Sequence, residues 1–133
     1  MQDHEFIYKV KWCIYKVYEE LGPGLLESVY NFALCYQLTK IGFKAEREVI
    51  IPLLYHGYRL EQGYRADIVV DNKLIIEIKS VEKLAPVHHL QLRTYLKLSG
   101  FPHGILVNFN TNYLKENMHY WNLNQILSSL NEK

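Results

Sequence analysis

The sequence predicts an α/β fold in which a mixed β-sheet is flanked by α-helices. Two segments of helical periodicity come first, and an alternating hairpin follows them. A third helical segment then leads to an apolar strand, a connection that usually places that strand parallel to a neighbour. The simplest packing of these elements is a sheet covered by helices. The length of 133 residues and the hydrophobic fraction of 49% predict one folded domain over residues 1–133.

The first two elements are predicted to be helices. Residues 6–21 carry apolar side chains at steps of three and four, and Gly22-Pro23-Gly24 then interrupts the pattern. A second helix is predicted over residues 25–41, with Gly42 as its cap. Its inner face is expected to carry Leu26, Val29, Ala33, Tyr36 and Leu38.

Strands are predicted next along the chain. Residues 44–54 are rich in apolar and β-branched side chains, and His56-Gly57 forms a turn before a short strand at 58–60. Two further strands, 66–70 and 74–79, are joined through residues 71–73. A one-residue slip between these two strands would expose the isoleucines and bury the charges, so the hydrophobic pattern sets their register.

That register brings charged residues together. It pairs Ile68 with Ile76 and places Asp67 opposite Glu77. Lys79 follows two residues later on the same face as Glu77. The sequence therefore predicts two carboxylates and an ammonium on one surface of the hairpin.

Two carboxylates about 5 Å apart repel each other by roughly 3 kcal/mol at an effective dielectric constant near 20. A divalent cation removes this repulsion, and Mg²⁺ favours sites with one or two carboxylates, waters and phosphate oxygens. The other interpretation is a solvated strand face on which acids and lysines alternate because they face water.

The remaining elements are a helix at 86–98, a buried strand at 104–109, a strand at 118–121 and a terminal helix at 123–130. On the first of these helices, His88, Gln91 and Tyr95 lie on one line, and His89 is expected to be exposed. The apolar stripe beside that line is predicted to contain Val87, Leu90, Thr94 and Leu98.

These motifs resemble known nucleases. Asp67 followed by a hairpin and Glu77-Ile78-Lys79 is similar to the core of the PD-(D/E)XK nuclease superfamily, with Ala66 where the family name has proline. The stretch from Gly24 to Tyr30 fits the pattern of the GxxExxY family, a small branch of that superfamily. Residues 91–95 resemble the QxxxY motif of its RecB-like members.

The resemblance implies a restriction-endonuclease-like fold and hydrolysis of phosphodiester bonds in nucleic acid, with DNA favoured. It implies Mg²⁺ or Mn²⁺ as cofactor, held by Asp67, Glu77, Glu27 and the carbonyl of Ile78. Lys79 would orient water, and Gln91 would complete the catalytic set. Predicted contacts to substrate come from Arg65, His88 and Tyr95. For Arg65, however, the favoured interpretation is an ion pair with a surface acid such as Glu46, Glu48 or Glu61.

Composition restricts the remaining possibilities. The net charge of +1 provides no global basic field, so contact with nucleic acid must rely on a local patch. Two cysteines are too few for a disulfide framework or a zinc site, and no signal peptide or membrane-length apolar stretch is present, so a cytoplasmic protein is expected. A homodimer would help a near-neutral chain surround a duplex. A catalytically silent nucleic-acid-binding module and an accessory interaction module remain alternatives.

Overall fold

The computed structural model describes residues 1–131, so residues 132 and 133 of the predicted domain lie outside the described part of the chain. The helices are α1 (Asp3–Leu21), α2 (Glu27–Lys40), α3 (Pro86–Ser99) and α4 (Leu123–Asn131), with a short 3₁₀ helix at Leu114–Asn117. The strands are β1 (Ala45–Ile51), β2 (Leu54–Tyr55), β3 (Tyr58–Arg59), β4 (Tyr64–Val70), β5 (Leu74–Lys79), β6 (His103–Asn108) and β7 (Met118–Asn122).

The central sheet has five strands in the order β1-β4-β5-β6-β7. Within residues 1–131, β5 and β6 are the only parallel pair of this sheet, and the α3 crossover connects them as predicted. The apolar residues of α1 and α2 pack on one face of the sheet, and those of α3 and α4 pack on the other. The predicted mixed sheet flanked by helices is therefore confirmed. Among residues 1–131, no helix is both long enough and apolar enough to span a bilayer.

The hairpin of β4 and β5 has the predicted register, with Ile68 opposite Ile76 and Val70 opposite Leu74. Its turn is closed by Lys73, whose N–H donates to the carbonyl of Val70 at 3.1 Å. Asp71 and Asn72 have φ values of 51° and 55°, a left-handed conformation that these two residue types tolerate better than most. The turn residues thus support the register that the apolar pattern requires.

The alternation of side chains does not continue along the whole of β1 and β4. Val70 and its partner Ala45 contact the side of the sheet covered by α1 and α2, whereas Ala66 and its partner Val49 contact the α3 side. The change occurs at Glu48 and Asp67, the two positions between the paired residues Arg47–Ile68 and Val49–Ala66. Glu48 has φ 54° there. Strict alternation of side chains is therefore interrupted at this point, where the two acids lie.

The predicted inner faces of α2 and α3 are also wrong in part. On α2, Leu26, Val29 and Tyr36 are exposed, whereas Leu38 is buried as predicted. The other buried residues of this helix are Tyr30, Asn31 and Leu34.

On α3, Val87 and Leu90 are exposed, whereas Leu98 packs partly buried against the core as predicted. The fully buried residues of this helix are Leu92 and Leu96. Both leucines lie over Gly104, where an added Cβ would be only 2.9 Å from the Cδ1 atom of Leu96. The absence of a side chain at Gly104 leaves room for this close approach of α3. His89 is half-buried rather than exposed, with its ring edge-to-face against His119 at 4.6 Å.

Candidate active site

Asp67 and Glu77 meet where the β4–β5 ladder ends. One carboxylate oxygen of Asp67 accepts a hydrogen bond from the backbone N–H of Ile78 at 2.7 Å. In return, Oε1 of Glu77 lies 3.5 Å from the backbone N of Asp67. Each acid thus contacts the other's strand, as their facing positions in the predicted register require. The two carboxylates nevertheless have different surroundings.

The carboxylate of Glu77 lies on the α3 side of the sheet. Its Oε1 accepts a hydrogen bond from the hydroxyl of Tyr64, whose ring stacks on the ring of Tyr95 with centroids 3.7 Å apart. Both tyrosines belong to the apolar cluster between the sheet and α3. Tyr95 therefore supports Glu77 indirectly, through Tyr64.

Burial disfavours the ionised form of both acids. Loss of hydration raises the pKa of Glu77 to about 7, and the same cause raises the pKa of Asp67 above its ordinary value. The ammonium of Lys79 lowers both pKa values, whereas Glu27 and Glu48 raise them. Added positive charge at this place would favour the ionised form of both carboxylates.

Glu27 begins α2 and joins two loops. One of its carboxylate oxygens accepts a hydrogen bond from the backbone N–H of Ser80 at 3.0 Å, and the Ser80 hydroxyl donates to the carbonyl of Leu25 at 2.6 Å. The loop before α2 is thereby bonded to the loop that follows Lys79.

Tyr30 explains the last position of the Gly24–Tyr30 motif. Its side chain is fully buried and stacks on Phe109, with ring centroids 4.4 Å apart. The hydroxyl donates to the carbonyl of Gly22 at 2.6 Å and accepts from the N–H of Leu25 at 3.1 Å. One buried side chain therefore holds the glycine-containing loop that leads to Glu27.

Tyr30→Phe is expected to lower the free energy of unfolding by about 1–3 kcal/mol, because a backbone donor and a backbone acceptor lose their partner. Urea denaturation measures this loss. Tyr36→Phe is the matched control, since Tyr36 is an exposed tyrosine of the same helix, and it should change stability by less than about 0.5 kcal/mol. Equal stability of the two variants would contradict this role for Tyr30.

A pocket of about 210 Å³ lies between α2 and the ends of β4 and β5. Its lining contains three carboxylates and a buried amide. The lining residues are Glu27, Ser28, Asn31, Glu48, Asp67 and Ile78. The structure thus brings Asp67, Glu27 and Ile78 together at one pocket, whereas Glu77 and Lys79 do not line it.

Asn31 and Glu48 are pocket residues that the sequence analysis did not select. Asn31 is only 3% exposed. Its amide nitrogen donates to the carbonyl of Asp67 at 3.1 Å and to Oε1 of Glu48 at 3.2 Å, and its oxygen accepts from Nε of Arg47 at 2.7 Å. The available signal was an asparagine within an otherwise largely apolar stretch of a predicted helix, directly after the tyrosine of the motif.

Chain comparisons identify the family. The model of the PD-(D/E)XK nuclease superfamily matches residues 4–120, which extend from α1 into β7. The chain belongs to the PD-(D/E)XK nuclease superfamily. The crystal structure of SSO0001 is similar to it, with 28% sequence identity and a TM-score of 0.52, covering 80% of this chain. This chain spans 56% of that protein. No curated protein matches the chain.

The pocket suits the divalent cations that PD-(D/E)XK nucleases generally use. Among residues 1–131, no three His, Cys, Asp or Glu side chains are close enough together to hold a metal ion. Mg²⁺, however, needs only one or two protein carboxylates, because waters and substrate oxygens complete its shell. Asp67 and Glu27 are oxygen donors of that kind and both line the pocket. The donor chemistry therefore fits a site that the substrate completes.

The other predicted residues lie outside this pocket. Gln91 and Tyr95, both on α3, line a separate pocket of about 230 Å³. Nδ1 of His88 accepts from the N–H of Ala85 at 3.0 Å, so this histidine caps the start of α3. Nε of Arg65 lies 3.0 Å from Oε2 of Glu48, an ion pair with one of the surface acids expected to compete for it.

Proposed function

We propose that this chain hydrolyses phosphodiester bonds of nucleic acid, with DNA favoured, in a reaction that depends on Mg²⁺ or Mn²⁺. One observation carries the proposal. The Asp67 carboxylate accepts a hydrogen bond from the Ile78 N–H and lines a pocket together with Glu27, and the charge of Lys79 lowers the pKa of Asp67. Two acids can hold a divalent cation beside the reacting phosphate, and an ammonium can stabilise the charge that develops on its oxygens.

Asp67 and Glu27, with the carbonyl of Ile78, would hold the cation, and Glu77 would join them by turning away from Tyr64. The bound cation would polarise the phosphate and lower the pKa of a water molecule. Lys79 would orient that water and stabilise charge that develops on the phosphate oxygens. Gln91, Tyr95, His88 and Arg65 would position the nucleic-acid strand along the α3 side and across the mouth of the pocket.

The proposal extends to the narrower family. The Gly24, Glu27 and Tyr30 positions fit the GxxExxY pattern, and the contacts of Tyr30 and Glu27 support the assignment. Tyr30 holds the loop, and Glu27 both bonds to Ser80 and lines the pocket. We assign this chain to that branch, with a cytoplasmic location and DNA as its partner.

Cleavage assays test the proposal. The purified chain would be incubated with labelled single-stranded, duplex and branched DNA and with RNA, in Mg²⁺, in Mn²⁺ and in EDTA. We expect products from at least one DNA substrate with either metal and none in EDTA. Absence of products from every substrate would contradict the proposal.

A second candidate, binding of nucleic acid without cleavage, is favoured by the contact between Glu77 and Tyr64. A carboxylate that stays on Tyr64 is kept out of the pocket and cannot contribute to the reaction. Salt-dependent retention of DNA on a filter, without products in any metal, would support this candidate.

A further inference from the structure

Glu48 occupies an unusual place in the pocket. It lies in the middle of β1, at the position facing Asp67, and its φ of 54° is uncommon for a residue other than glycine. That conformation coincides with the change of face in β1 and β4. The result is that the Glu48 side chain lines the same pocket as Asp67 and Glu27.

Both carboxylate oxygens of Glu48 are engaged by partners of different kinds. Oε1 accepts from the amide of Asn31, which is buried and also bonded to the Asp67 carbonyl. Oε2 pairs with Nε of Arg65, a side chain that is 65% exposed. Asn31 is a fixed partner, whereas Arg65 is accessible to a ligand that arrives from solvent.

The guanidinium of Arg65 can exchange the Glu48 carboxylate for a phosphate. A guanidinium binds phosphate oxygens through two parallel hydrogen bonds, and exposed ion pairs between side chains contribute little stability. A nucleic-acid phosphate at the mouth of the pocket would therefore compete well for Arg65. Release of Arg65 would leave Oε2 of Glu48 free and negatively charged beside Asp67.

We propose that Glu48 is an additional carboxylate of the cation site and that Arg65 occupies it until a nucleic-acid phosphate binds the guanidinium. This inference rests on the proposed function. It explains how substrate would complete a site whose acids do not form a ligand cluster in residues 1–131. It also predicts that Arg65 opposes cation binding when nucleic acid is absent, the reverse of what a purely structural ion pair would do.

Calorimetric titration of Mn²⁺ into the protein without nucleic acid tests the proposal. We expect Arg65→Gln to bind Mn²⁺ about threefold to fivefold more tightly than the native chain, the range that loss of one exposed ion pair allows. Glu48→Gln should bind at least about tenfold more weakly, and the double variant should resemble Glu48→Gln. Arg59→Gln is the matched control, because Arg59 is an exposed arginine of β3 that does not line the pocket, and its affinity should be native.

Glu48→Gly removes the same carboxylate without the backbone conflict, because glycine adopts φ near 54° freely. This variant should fold at least as stably as the native chain and bind Mn²⁺ as weakly as Glu48→Gln. Native Mn²⁺ affinity in both Glu48 variants would overturn the proposal. Unchanged or weaker affinity in Arg65→Gln would also overturn it.

A second titration measures the Mn²⁺ affinity of the native chain and of Arg65→Gln in the presence of a phosphorothioate duplex that resists cleavage. Mn²⁺ affinity should rise when the duplex is present, and the rise should be smaller in Arg65→Gln. A rise of the same size in both proteins would contradict the exchange of partners by Arg65. If the native chain cleaves no substrate, the proposed function fails, whereas the titrations without nucleic acid still decide the role of Glu48.

Discussion

Lys79→Ala is expected to lower the rate of metal-dependent cleavage by about 10²- to 10³-fold, the loss typical when one group that stabilises transition-state charge is removed. The ammonium lowers the pKa of both Asp67 and Glu77. Its removal should therefore also move the acid limb of the pH–rate profile to higher pH, because both acids must be ionised to act. Single-turnover kinetics across a pH series would measure both effects.

Lys83→Ala is the matched control, since Lys83 is an exposed lysine of the loop between β5 and α3. It should keep the native rate and the native pH profile. Cleavage by Lys79→Ala at the rate of this control would contradict a catalytic role for Lys79. A slower rate with an unchanged pH profile would contradict the electrostatic link between Lys79 and the two acids.

Glu77→Gln is expected to stabilise the fold in EDTA while it reduces cleavage. Glutamine retains an oxygen that accepts from the Tyr64 hydroxyl and carries no charge to desolvate. Burial raises the pKa of Glu77 from 4.5 to about 7, which corresponds to about 3 kcal/mol of unfavourable ionisation at pH 8. We therefore expect the free energy of unfolding to increase by about 2–3 kcal/mol at pH 8, measured by urea denaturation.

The pH dependence of this gain has a defined sign. An acid with a raised pKa in the folded state holds its proton there while the unfolded chain releases it, so native stability falls as pH rises from about 4.5 to about 7. The advantage of Glu77→Gln should therefore shrink to less than about 1 kcal/mol at pH 5. Gln91→Glu is the control, because position 91 is exposed and an acid there is not buried. Its free energy of unfolding, relative to the native chain, should not change in this way between pH 5 and pH 8. Native stability that increases with pH over this window, relative to Glu77→Gln, would contradict the burial of an ionisable Glu77.

Much of the fold follows from local patterns. The hairpin register was predictable because β4 and β5 carry apolar residues at every second position, so only one register keeps Ile68, Val70, Leu74 and Ile76 together. The parallel pairing of β5 with β6 followed from the helix between them. Periodicity was less informative for α2 and α3, since both carry apolar residues on several sides and the sheet decides which side is buried.

Only those residues of the site that belong to recognisable motifs could be predicted from the sequence. Asp67, Glu27 and Ile78 meet at one pocket because the loop held by Tyr30 brings the start of α2 to the end of β5. The different surroundings of Glu77 depend on Tyr64, which contacts it across strands. Glu48 could not be selected either, because strict alternation along β1 says nothing about a left-handed residue that reverses the faces.

A crystal of the native chain soaked in Mn²⁺ tests the central claim most directly, since anomalous scattering locates the ion independently of any activity. The account predicts a peak inside the pocket of Glu27, Glu48, Asp67 and Ile78, bonded to the Asp67 carboxylate. A fully occupied Mn²⁺ ion elsewhere on the chain, with none beside Asp67, would contradict it.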